Sequence, residues 1–165
     1  MKLSEGVEAA IHCATLLAQL EEGRTMPAGA LAEYHGLSPS YLLKHLKTLT
    51  AARILESVSG PHGGYRLARS ADAITLLDVV LAIEGPQPAF RCAEIRQRGP
   101  GALEPEVYAA PCNINAAMLR AEQAYRAELR KTRLSDVISD YLGEADPRAL
   151  AFSCAFVARN QRPQG

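Results

Sequence analysis

The sequence has no excess of either charge. Eighteen Lys and Arg stand against eighteen Asp and Glu in 165 residues, a formal net charge of zero, so no overall field draws the chain to nucleic acid or to an anionic surface. It also lacks any apolar run near the ~18 residues that a membrane span requires. Its opening, Met1-Lys2-Leu3-Ser4-Glu5-Gly6, has none of the charged start, apolar middle and small-residue cleavage site of a signal peptide. A cytoplasmic setting with no membrane partner is expected. Equally missing are a nucleophile paired with a base, a phosphate-binding glycine loop and a zinc-enzyme motif, which argues against an enzyme. Cysteine is sparse, at positions 13, 92, 112 and 154. In a cytosolic chain, four cysteines favour metal or redox chemistry over a structural bridge.

What is present suits a globular core of one domain with an extension: 48% of the residues are hydrophobic and 22% charged. Charge is uneven along the chain. From 38 to 69, Lys44, Lys47, Arg53, Arg66 and Arg69 meet only Glu56, a local charge of +4. Residues 1–37 set Lys2 and Arg24 against Glu5, Glu8, Glu21, Glu22 and Glu33, a charge of −3. A charged stretch is usually a solvated face, so its meaning depends on the geometry that carries it.

That geometry is legible. Ser4 is placed to cap a first helix reaching about Leu20, with Gly23 beyond it. A short helix follows Pro27 to His35, and a third opens at Ser38-Pro39, with serine at the cap and proline in the first helical position. Only Gly36-Leu37 separates the two, the pattern of a helix-turn-helix. Residues 54–58 and 65–67 read as strands around the loop Ser59-Gly60-Pro61-His62-Gly63-Gly64, a hairpin wing. Thr75 and Asp78 form a capping box for a fourth helix that Gly85-Pro86 stops. A proline-rich loop then holds Cys92 and ends at Cys112. Beyond it Ile114, Ala117, Met118, Ala121, Tyr125 and Leu129 recur at helical spacing, an apolar stripe that a second subunit or the chain's own N-terminal helix would cover.

The second helix of a helix-turn-helix enters the major groove by its N-terminal residues. Here these are Ser38, Ser40, Tyr41, Lys44 and His45, with Lys47 as a backbone contact and with His62 and Arg66 of the wing near the minor groove or its phosphates. The partner implied is a double-stranded operator. Cys13 is expected in the core, and Cys154, between Phe152 and Phe156, in a buried apolar patch.

Three segments, Leu37-Ser38-Pro39-Ser40-Tyr41-Leu42, Gly63-Gly64-Tyr65-Arg66-Leu67 and Ile74-Thr75-Leu76-Leu77-Asp78-Val79, resemble the Rrf2 family of winged-helix regulators over about residues 1–140. With Met1-Lys2-Leu3-Ser4, residues 94–100 and the cysteine placement, the chain looks most like that family's redox-sensing two-iron members. The resemblance implies a mainly α fold with a small β-hairpin wing, a winged helix-turn-helix followed by a long dimerisation helix. It implies a DNA-binding domain at 1–85, a cluster-binding loop at 86–112, the dimerisation helix with a short following helix at 113–142, and a tail at 143–165. It further implies a homodimeric repressor on a near-palindromic operator, with a [2Fe-2S] cluster held by Glu8 and His12 of one subunit and Cys92 and Cys112 of the other. The four-residue spacing of Glu8 and His12 puts them on one helix face, and histidine can replace thiolate on one iron of such clusters. The residues alone also fit a plain surface pair at Glu8 and His12, and a redox thiol pair or a disulfide at the cysteines. A cluster-free, thiol- or partner-controlled regulator of the same fold therefore stands beside the first reading.

Overall fold

Ala10, Cys13, Ala14 and Leu17 recur at the spacing of one helix face, and all four are buried in α1 (Glu5–Leu17). The computed structural model describes residues 3–163. The helix ends at Leu17, a turn short of the Leu20 that the sequence suggested. Opposite its first turn lies α3 (Pro39–Ala51), which buries Leu42, Leu46 and Leu49 completely. A Cβ on Gly6 would sit 2.4 Å from the His45 ring, so the two helices cross at a distance that only glycine permits.

Between them runs α2 (Ala28–His35), closed by Gly36 at φ 63°, the left-handed conformation that glycine adopts without strain. Ser38 stands in the N-cap position before Pro39 at the start of α3, as expected, but its hydroxyl makes no cap bond and lies against that of Ser40 instead. Two antiparallel strands follow, β1 (Leu55–Val58) and β2 (Gly64–Leu67), in the register Leu55 to Leu67 and Val58 to Gly64. The two adjacent glycines of the wing are required by close backbone contact. A Cβ on Gly63 would lie 2.3 Å from the Val58 carbonyl oxygen, and one on Gly64 2.6 Å from that of Met26. Met26 pairs in both directions with Tyr65, which ties the wing to the body.

Helix α4 (Leu76–Glu84) begins in the anticipated capping box: Asp78 N–H donates to Thr75 Oγ1 at 3.2 Å, and Thr75 N–H to Asp78 Oδ2 at 2.9 Å. Such a cap contributes about 1 kcal/mol. The long loop holds two short 3-10 turns, Ile95–Gln97 and Pro105–Tyr108. Its first residues are clasped to α5 (Asn113–Lys131), where Glu122 accepts from Ala89 N–H at 2.8 Å and Arg126 donates to the Pro86 and Gln87 carbonyls. No residue of α5 is fully buried. Its exposed side carries Ile114, 66% accessible, Ala117, Met118, 44% accessible, and Ala121.

Helix α6 (Leu134–Glu144) anchors through the buried Leu134. The segment read as a tail folds as α7 (Pro147–Asn160), with Asp146 accepting from Arg148 N–H at its start and with Ser153, Phe156 and Val157 buried. Cys154 points outward, contrary to the expected burial, because the inward face is set by 153, 156 and 157. The architecture is mainly helical with one two-stranded wing, as the sequence implied. Among the described residues no helix is long and apolar enough to cross a membrane.

Candidate nucleic-acid interface and thiol site

The outer face of α3 is the complement of its buried stripe. With Leu42, Leu46 and Leu49 turned inward, Ser38, Ser40, Tyr41, Lys44 and Lys47 are exposed. Ser38 and Ser40 hydroxyls lie 3.0 Å apart. Hydroxyls and lysines on one face suit base edges and phosphates. His45 belongs to the inner face. The residue is 9% accessible, and its ring packs edge-on to Tyr41 at 4.7 Å and has a buried Nε2 without a partner among the described residues. Burial, and then the Lys44 charge, hold its pKa below the usual histidine value.

In the wing, His62 is exposed at the tip, and its carbonyl accepts from Thr25 Oγ1 at 3.0 Å. Arg66 is turned back along the strands, donating to Glu56 Oε2 at 3.0 Å and to the Gly23 carbonyl at 3.4 Å. Its place is across the hairpin rather than at the tip.

The four residues singled out as cluster ligands fall into two pairs. Glu8 and His12 are exposed one turn apart on α1. Cys92, early in the long loop, and Cys112, at its end, lie near each other, both as free thiols. The two pairs are not brought together within one chain: among the described residues no group of three His, Cys, Asp or Glu could hold a metal ion. His12 instead faces His35, with ring centroids 5.8 Å apart. Burial, then the neighbouring His12, lowers the His35 pKa, and its Nε2 is buried without a partner among the described residues.

Cys112 occupies the N-cap position of α5 without a side-chain cap hydrogen bond, close to the Asn115 and Ile114 N–H groups. These N–H groups, the Cys92 thiol and Arg96 hold its pKa below the ordinary thiol value. Arg96 was not singled out by the sequence, yet it closes the loop. It grips Glu94 with two N–H donors, reaches the Ala110 carbonyl at 3.3 Å and lies over the Tyr108 ring. Its signal was only a charged pair two residues apart in a loop. Cys13 is the reverse case, its thiol pushed up to about 12 by burial. Because the thiolate is the nucleophile, limiting iodoacetamide at pH 7.5 should alkylate Cys112 of the iron-free chain well before Cys13, as read by peptide mass spectrometry. Equal labelling of the two in the folded chain would contradict this placement.

A sequence profile of Rrf2, described as an iron-dependent transcriptional regulator, matches residues 3–140. YffB of Lactococcus lactis, which carries the name of an HTH-type transcriptional regulator, is 35% identical over 140 residues, 85% of this chain and 88% of that protein. YwgB of Bacillus subtilis, named in the same way, is 31% identical over 87% of this chain and 88% of its own length. Among solved structures, CymR, the global cysteine regulator of Bacillus subtilis, superposes with a TM-score of 0.61 at 26% identity, covering 84% of this chain and 97% of that one. IscR of T. potens superposes with a TM-score of 0.63 at 22% identity, over 91% of this chain and 96% of that one.

Proposed function

Because the chain belongs to the Rrf2 family of transcriptional regulators, and not to a family of enzymes, we propose that it acts as a homodimeric repressor that senses redox state through a [2Fe-2S] cluster. The observation that carries the DNA-reading part is the outer face of α3. Two serines, a tyrosine and two lysines stand clear of the core beside a wing whose tip presents His62. In this reading residues 1–85 read DNA, 86–112 carry the thiols and 113–142 join the subunits. The exposed stripe Ile114, Ala117, Met118 and Ala121 is the surface a second copy would bury. Two recognition helices related by such an axis match a near-palindromic operator with half-sites roughly 34–36 Å apart.

The cluster reading is supported by the donor set. The two thiols lie near each other beside Arg96, both α1 donors are exposed, and among the described residues one chain alone brings no three such donors together. Glu8 and His12 of one subunit with Cys92 and Cys112 of its partner would hold the cluster. When bound, it supplies a one-electron couple that an imidazole ligand makes easier to reduce than an all-thiolate site would be. Arg96 and Glu94 hold the loop that presents the sulfurs, and the Glu122–Arg126 clasp fixes where that loop leaves the body. A rotation at the α5 interface would change the spacing of the recognition helices and hence operator affinity.

A second reading keeps the DNA role and lets Cys92 and Cys112 act as thiols. Their proximity and the similarity to CymR, a cysteine regulator by name, favour it. Iron and sulfide analysis separates the two. Anaerobic reconstitution with iron and sulfide should give a coloured protein, and that protein should select a duplex from a random library and bind it with a log affinity that falls linearly with log salt concentration. A colourless, iron-free product would leave the thiol reading, and a chain that selects no duplex would remove the DNA-reading role.

A further inference from the structure

The region that follows the family match is not a passive appendage, because it reaches the wing. The Rrf2 profile ends at residue 140, before α7. That helix is pinned to the body by buried Phe156 and Val157, by Ser153 Oγ donating to Gln19 Oε1 at 2.9 Å, and by Gln161 accepting from Glu21 N–H at 3.2 Å. Its exit delivers Arg162 to the side of the wing. There Arg162 pairs with Thr25 in both directions, at 2.8 and 3.1 Å. Thr25 and Met26 thus form a splint between the C-terminal segment and β2, since the next residue, Met26, pairs in both directions with Tyr65.

The side chain of Arg162 completes the arrangement. Its Nη1 donates to the Pro61 carbonyl at 3.2 Å and to the Gly63 carbonyl at 3.4 Å. Thr25 Oγ1 holds the carbonyl between them, that of His62. Three consecutive carbonyls of the wing tip are therefore held from the body side, two of them by one guanidinium. A cation on carbonyl oxygens makes stronger hydrogen bonds than a neutral donor, and a two-stranded hairpin alone is marginally stable in water.

We propose that Arg162 is a positioning residue for DNA recognition: it fixes the wing tip, and with it His62, in the orientation that meets the duplex. The inference rests on the DNA-reading role given above and adds a part that lies outside the family's shared segment. Because α7 and the Thr25 backbone pairing do not need the guanidinium, Arg162→Ala removes only the grip on the wing.

The test uses the full chain and the duplex that the wild type selects. Arg162→Ala should keep the wild-type melting temperature, bind that duplex roughly tenfold more weakly, and lose hydroxyl-radical protection in the minor groove flanking each half-site while keeping protection of guanine N7 from dimethyl sulfate in the major groove. Arg162→Lys, which retains a donor, should recover part of both. The dependence of affinity on salt should keep its wild-type slope, because the guanidinium is turned to carbonyls. Unchanged affinity and footprint in Arg162→Ala would overturn the proposal. So would a salt slope lowered by about one charge, the mark of a direct phosphate contact. If the wild type selects no duplex, the DNA-reading role fails first and this inference with it. A wild type that binds beside an indifferent Arg162→Ala removes the inference alone.

Discussion

Replacing Lys44 and Lys47 together with alanine should weaken binding to the selected duplex by about 100-fold and lower the salt slope by at least about one charge, that of Lys47. The two lysines are three residues apart on α3 and exposed on its outer face, so they address one strip of DNA. Neither touches the core, which α3 meets through Leu42, Leu46 and Leu49. The melting temperature should therefore stay within a degree or two of wild type, since exposed substitutions usually cost within about 0.5 kcal/mol. Single variants separate their roles. Lys44 lies nearer the helix N-terminus, so its loss should change which duplex is preferred, whereas loss of Lys47 should weaken all duplexes alike. Fluorescence anisotropy at several salt concentrations checks both. An affinity that falls by about threefold or less, at an unchanged slope, would mean that another face reads the DNA.

Much of this geometry was legible because it rests on local chemistry. The serine and proline opening α3, the glycine closing α2, and the reciprocal Thr75–Asp78 cap are each decided within four residues, and the structure contains all three. The paired wing glycines were read as a loop signal, and the contacts with Val58 and Met26 carbonyls explain why both are needed.

The misplacements share a cause. His45 was assigned to DNA by its chemistry, yet positions 42, 45, 46 and 49 form a single stripe at helical spacing, and the histidine lies in it among leucines. Cys154 was placed inside because phenylalanines flank it, whereas the buried period in α7 runs through 153, 156 and 157. The signals for α7 itself were present: aspartate then proline at its start, and apolar residues at helical spacing. They give a helix but name no surface for it to pack on, so the segment reads as a tail. The contacts of Arg162 with the wing span about a hundred positions in the chain, and no local pattern encodes such a pairing.

The candidate ligand set depends on a second copy of the chain, so it is open to a direct test by mixing. Consider one variant with Glu8→Ala and His12→Ala, and another with Cys92→Ala and Cys112→Ala. Glu8, His12 and Cys92 are exposed and Cys112 is half-buried, so both variants should fold. Alone, each should remain colourless after anaerobic reconstitution, because every site lacks two donors. In a mixed dimer, the α1 of the cysteine variant meets the loop of the α1 variant, and that one site has all four donors. The other site has none.

Random pairing gives mixed dimers about half the time, each with one complete site of two. Co-refolding the two variants in equal amounts, then reconstituting with iron and sulfide, should restore about a quarter of the wild-type visible absorption and bound iron. Colour in either variant alone, or none in the mixture, would contradict a cluster shared across the subunit boundary.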